Sequence, residues 1–229
     1  AIPHIMPKRV DAQNYVTEYV DEEIIKDYIR TVRREKGVRL TRMAVIIAAY
    51  YMAALQHPYV NRFVVHSKIY DRNHFCVSFV MLKKRADGTP DETPVKVFME
   101  PDDDIFTINQ RINETIEKNS EPKHENSADK FAAFMLSVPV LPYLVMALVR
   151  LLDRLGLLPR SIVDLSPFHT SMFITNLASI NTTHIYHHVY EFGTTSVFLS
   201  VGKSVPNYLT GELDKKLIPI SVVMDERIC

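Results

Sequence analysis

The chain has 229 residues, 47% hydrophobic and 24% charged, enough to bury a substantial core in one domain, or at most two small ones. Its 27 basic and 27 acidic residues cancel, so net charge gives no reason to expect nucleic acid or an anionic membrane as a partner. Two cysteines, Cys76 and Cys229, are too few for a disulfide framework and suit a reducing cytosol.

Ala1 to Arg9 carries Pro3, Pro7 and the pair Lys8-Arg9, and reads as an extended surface segment with no legible leader before it. Tyr15 to Val20 alternates as a strand. Asp21 can cap the next helix, because its carboxylate can accept from an N–H of the first turn, and Glu22 and Glu23 suit the same dipole end. Ile24, Ile25, Tyr28, Ile29 and Val32 recur at helical spacing, with Gly37 as the left-handed stop. A second helix follows Thr41 and carries Met43 to Leu55, apolar nearly all round and therefore expected to be buried.

Phe63 to Tyr70 and Phe75 to Leu82 then read as two strands of a hairpin turning at Asp71-Arg72-Asn73-His74. Lys83 to Thr93 reads as a turn before a strand at Val95 to Met99. Pro101-Asp102-Asp103-Asp104 lacks the glycine-centred loop and bidentate glutamate of a calcium site, so the aspartates are expected to cap a helix over Ile105 to Ile116. A polar loop from Lys118 to Asp129 leads into helical patterns at Lys130 to Ser137 and Leu141 to Leu155, closed by Gly156 and Pro159. Val138 to Leu158 is the most apolar tract, but Arg150, Asp153, Arg154, Pro139 and Pro142 interrupt it, so a helix on the core or at a subunit contact is expected rather than a membrane span. Strands return at Ser171 to Leu177, His184 to Glu191, Ser196 to Val201 and Leu217 onward. The order predicts an α+β sandwich, a mixed sheet covered by helices.

The last strand, Leu217 to Met224, runs into Asp225-Glu226-Arg227, charges that must either pair or line a solvated cleft. This run resembles the active-site strand of the 2-oxo acid dehydrogenase acyltransferases, relatives of chloramphenicol acetyltransferase, where an apolar strand enters Asp-His-Arg-x-x-Asp-Gly. Asp225 and Arg227 match, Glu226 takes the place of the histidine, and the sequence stops at Cys229, where Asp-Gly would follow. The resemblance therefore implies one acyltransferase-like domain over residues 1–229, incomplete at its C-terminus. Met172-Phe173-Ile174-Thr175-Asn176-Leu177-Ala178 resembles the family's Phe-Thr-Ile-Ser/Thr-Asn-Leu-Gly segment, with Ala178 in place of its glycine, and Ser196 to Lys203 resembles the strand after it.

The resemblance implies a chloramphenicol acetyltransferase-like sandwich, assembled as a homotrimer with sites between subunits. Coenzyme A or acyl-coenzyme A would be a substrate, no metal would be needed, and the partners would be a small-molecule acyl donor and acceptor. In the family a histidine deprotonates a thiol that attacks a thioester, and a hydroxyl holds the oxyanion. Thr175 stands where that hydroxyl belongs and Glu226 where the base belongs, with Asn176, Asp225 and Arg227 as substrate-binding residues by the same correspondence. A carboxylate, ordinarily near ~4.3, is a poor match for a thiol near ~8.5, whereas imidazole, near ~6.5, is closer. His184, His187 and His188 do not converge on one face of a strand and read as surface residues. Two classes stay open: an acyltransferase of weakened or lost activity, favoured by Thr175 and Asn176, and a non-catalytic binding or assembly protein on the same scaffold, favoured by Glu226. No lipoyl-type lysine motif is legible, so membership of a large dehydrogenase complex is not expected. A cytoplasmic location fits the cysteine usage.

Overall fold

A computed structural model describes residues 2–84, 90–120, 137 and 142–229. A short helical turn, α1 (Ile2–Ile5), precedes β1 (Gln13–Asp21), α2 (Glu22–Lys36) and α3 (Arg42–Gln56). The hairpin of β2 (Arg62–Val65) and β3 (Lys68–Asp71) follows, then β4 (Phe75–Lys84), β5 (Pro90–Met99) and α4 (Ile105–Ser120). After α5 (Pro142–Leu155) and α6 (Arg160–Leu165) come β6 (Met172–Asn176), β7 (Val197–Val201), β8 (Val205–Pro206) and β9 (Lys216–Asp225).

The helix boundaries lie where local chemistry puts them. Asp21 accepts from the Glu23 N–H at 2.8 Å to open α2, and Gly37 closes it at φ 68°, where a side chain would be strained. The Thr41 hydroxyl accepts from Ala44 N–H at 3.1 Å at the head of α3. Asp104 accepts from the N–H groups of Phe106 and Thr107, both at 2.9 Å, so the aspartate run is a helix cap, and Asp103 pairs with Arg111. Among the described residues no three His, Cys, Asp or Glu side chains converge as metal ligands, and no helix is long and apolar enough to cross a membrane.

The main sheet runs β1-β9-β7-β6-β4-β5, with β8 on β9. β6 is parallel to both of its neighbours and the other ladders are antiparallel, giving the mixed sheet expected from the element order. One face buries Val77, Met172, Ile174, Leu199 and Ile218 against α3 and α4, through Ile47, Ile108 and Ile112. The opposite face carries Phe173, Phe198 and Val223 under Val189 and Tyr190. α3 is less enclosed than its composition suggests, since Met52 and Leu55 are exposed.

Three expectations are corrected. The run from Phe63 to Tyr70 is itself a hairpin, β2 on β3, turning at His66 and Ser67 with φ 51° and 57°. Two left-handed residues make that a tight two-residue turn, and neither carries the usual glycine or asparagine signal. β4 pairs instead with β5, from Phe75↔Met99 to Lys84↔Pro90, so Asp71 ends β3 and Arg72 to His74 is a connection between two sheets. Second, His184 to Glu191 is extended but joins no ladder. It lies across the sheet face, its backbone held by side chains: Ile185 N–H donates to Ser200 Oγ, Ser221 Oγ donates to Ile185 O, and Gln13 donates to Val189 O. Third, Arg9 is buried rather than on the surface. The helical pattern at Lys130 to Ser137 and much of the neighbouring loop lie outside the described residues.

Asp153 ties α5 to the rest of the fold through both of its carboxylate oxygens. Asp153 Oδ1 stands 2.9 Å from His169 Nε2, and its Oδ2 accepts from Gly193 N–H at 2.7 Å. Gly193 has φ 89°, and a Cβ there would come 2.2 Å from the Phe168 carbonyl oxygen, so the approach requires glycine. Tyr143, Leu144, Leu148 and Leu151 of α5 face outward, between 53% and 88% exposed.

Candidate active site

Thr175 lies in register with Ser200 of β7, which pairs with Ser221 of β9, which pairs with Thr17 of β1. The row of hydroxyls crosses four strands on the sheet face away from the helices, because side chains alternate and Phe173, Phe198 and Val223 mark that face. Ser200, Ser221 and Thr17 are engaged by the segment above them, the last by Tyr186 Oη at 2.7 Å. Thr175 is partly exposed, and its hydroxyl has no hydrogen-bond partner among the described residues. It is therefore available to a ligand. Asn176 is exposed at the same strand end. Beyond it the chain turns through Leu177–Ile180 and leaves by Asn181 at φ 56°. Ala178 is not left-handed here, so an alanine is accommodated without strain at this position.

Glu226 sits at the far end. From Ser221 it is five residues along β9, roughly 15 Å by strand rise, and β9 is two strands from β6, roughly 10 Å more across the sheet. Within one chain Thr175 and Glu226 do not meet. Glu226 is partly exposed, and its Oε2 accepts from Asn14 Nδ2 at 2.8 Å.

Asp225 and Arg227, expected to touch substrate, are instead buried in an ion cluster. Asp225 is fully buried, its Oδ2 2.7 Å from Arg227 Nη2 and 3.3 Å from Arg9 Nε, while its Oδ1 accepts from Arg227 Nε at 2.8 Å. Arg227 also donates to the carbonyls of Met6 and Pro7 at 3.1 Å, and Arg9 donates to those of Tyr190 and Gly193. Burial pushes the Arg9 guanidinium down, and Asp225 and Glu191 oppose that shift. The cluster fastens the N-terminal segment, the loop after Val189 and the end of β9 to one another.

His187, expected at the surface, is half-buried. Its ring stacks on Phe198 at 4.0 Å and 5°, and Phe198 stacks on Phe173 at 4.9 Å. Burial holds this imidazole below its ordinary range, and Nδ1 lies 2.9 Å from the His188 carbonyl. Nothing in the local sequence distinguishes it from exposed His188, because the burial comes from a strand eleven residues later.

Solved structures share this fold. The probable dihydrolipoamide acetyltransferase of Listeria monocytogenes superposes with a TM-score of 0.60 over 99% of this chain and 82% of its own, at 16% identity. The chain has the fold of an acetyltransferase core. The Azotobacter vinelandii dihydrolipoamide acetyltransferase, in which catalytic roles of a serine, a histidine and an asparagine were investigated, gives 0.59 over 95% of this chain and 74% of its own, at 13% identity. The cubic core of a pyruvate dehydrogenase complex gives 0.60 over 99% and 80%, at 14% identity. No protein-family model matches the chain, and no curated protein matches it in sequence. At these identities the acetyltransferase likeness is one of fold.

Proposed function

We propose that this protein carries a coenzyme A-dependent acyltransferase site, assembled between copies of the chain, in which Glu226 stands in the place of a histidine base and leaves the chemistry weak. The observation that carries this reading is the placement of Thr175: an unpartnered, accessible hydroxyl at the open end of β6, in the fold of acetyltransferase cores. Thr175 would hold the oxyanion of a thioester under attack. Asn176, exposed beside it, would contact substrate. Asp225 and Arg227 act as positioning residues, because their charged atoms are turned into each other and into backbone carbonyls. No metal is required by this chemistry. Both described cysteines are free, which suits a reducing cytosol.

Two chains are needed for Thr175 and Glu226 to share one site, because the sheet separates them in one. We therefore infer a homotrimer, the assembly that the family resemblance implies, and the apolar outer face of α5 supplies surface of the kind subunit contacts cover. Light scattering at micromolar concentration should give a trimeric mass; a monomeric mass would remove the intersubunit site.

Activity is tested by release of the coenzyme A thiol, followed with a chromogenic disulfide across a panel of acyl donors and hydroxyl, amine or thiol acceptors. Turnover is expected to be slow or undetectable. Robust turnover that disappears in Glu226→Gln would establish glutamate as a working base and sink the reading of a weakened site. A second reading, a binding or assembly protein without catalysis, is favoured by the engagement of the Glu226 carboxylate with Asn14.

A further inference from the structure

A cleft of about 570 Å³ opens where the end of α3, the Pro58–Asn61 turn, the β3–β4 connection and the end of β5 meet. Its size is that of small-molecule sites. Tyr51, Leu55, Phe75, Phe98 and Met99 give it apolar walls. Thr175 and Glu226 do not line it.

Arg72 is the unusual member of the lining. Its Nη2 donates to the Thr194 carbonyl and hydroxyl at 2.8 and 3.1 Å, and its Cζ stands 4.6 Å from the centre of the Phe63 ring. Its Nε is sealed from water and has no hydrogen-bond partner, while the residue as a whole keeps a partly exposed edge. Among the described residues no carboxylate pairs with it. Neighbouring Asp71 is taken by Arg62, Oδ1 to Nε at 2.6 Å, and Glu100, the other acidic lining residue, is exposed and so screened by water. Of the remaining titratable lining groups, Arg160 pairs with Asp164 at 3.5 Å, His74 Nδ1 lies 2.9 Å from Asn73 Oδ1, and the Tyr51 hydroxyl donates to the Glu100 carbonyl at 2.8 Å. Burial pushes the Arg72 guanidinium down to about 10, which still leaves it charged at neutral pH. Asn61, on the same wall, has a sealed and unpartnered Oδ1.

A largely sheltered cation with no carboxylate partner, helped by the nearby Cys76 thiol, is costly, and a guanidinium is a side chain that donates well to a carboxylate. Nη1, which is neither sealed nor hydrogen-bonded among the described residues, stands above aromatic walls and suits one carboxylate attached to an apolar body. A polyphosphate would need several cations. We propose that this cleft binds a small organic carboxylate with an aromatic or branched aliphatic body, its anion on Arg72 and its body against Tyr51, Phe75 and Phe98.

Isothermal titration of the full chain in its native assembly, with phenylacetate and isovalerate as probes and phenylacetamide and inorganic phosphate as comparators, tests this. The acids should bind in the millimolar range or tighter, with the amide and phosphate weaker by about tenfold or more, the worth of one charged hydrogen-bonded contact. Arg72→Gln should lose at least about tenfold for the acids and nothing for the amide. Leu55→Trp, at the exposed rim, should block binding without touching the guanidinium and serves if Arg72→Gln does not fold. Equal affinity for acid and amide, unchanged binding in a folded Arg72→Gln or in Leu55→Trp, or no heat for either acid up to about 10 mM would each overturn the proposal. The measurement needs no turnover, so its outcome is independent of the acyltransferase reading.

Discussion

Asp225→Ala is expected to destabilise the protein by about 3–5 kcal/mol, the cost of breaking a buried ion cluster from one side. Asp225 is fully buried and is approached by two guanidiniums, those of Arg9 and Arg227. Without the carboxylate, two cations remain in an apolar surround with backbone carbonyls as partners and Glu191 as the nearest counter-charge. The residues they bind are the N-terminal segment and the turn near Gly193, so those are expected to loosen first. Urea unfolding of the variant should show a lower midpoint, and hydrogen exchange should rise from Met6 to Ala12 before it rises in β7. Asp225→Asn, which keeps the shape and part of the hydrogen bonding, should lose less. A loss under about 1 kcal/mol in Asp225→Ala would show that the cluster is hydrated rather than buried.

Glu226→His is expected to raise acyl transfer by about 10²-fold, the lower end of what a well-matched general base contributes. The position is partly exposed at the end of β9, and Asn14, whose amide now donates to the carboxylate, could orient an imidazole instead. The gain should depend on Thr175, the oxyanion donor proposed above, so Thr175→Val in the Glu226→His background should remove most of it. Because the two residues stand at opposite ends of one sheet, the gain should also require the assembled oligomer and disappear on dilution to monomer. An unchanged rate in a folded, trimeric Glu226→His variant would mean that Glu226 and Thr175 do not share a site, and would favour the binding reading.

Much of the secondary structure was legible without coordinates. The helix starts at Asp21, Thr41 and Asp104 and the stop at Gly37 rest on bonds between residues a few positions apart, and such bonds are written in the local sequence. The alternation that marks β1 and the apolar run of β9 are equally local, and the resemblance carried by the Ile174 to Leu177 and Asp225 to Arg227 runs was enough to point to the fold. Strand pairing was harder, because His66-Ser67 makes a tight turn without the residues that usually announce one, while Asp71 to His74 looks like a turn and is the end of β3 with the connection after it.

What only the tertiary structure decided depends on partners far apart in the chain. The alternatives for Asp225 and Arg227, pairing or lining a cleft, were settled by Arg9, which comes from the first residues. His187 is sheltered because a segment without a ladder is laid over Phe198 by serine and arginine side chains. Arg72 lines a cleft because it stands in the connection from the β2–β3 hairpin to the main sheet. The separation of Thr175 from Glu226 follows from β9 running antiparallel to β7, a fact of pairing. Period and capping are set by neighbours within a turn or two, so the sequence carries them. Ion partners, sheet order and the ends at which side chains emerge are set by long-range pairing, whose pattern this sequence admits in more than one way until the whole core is packed.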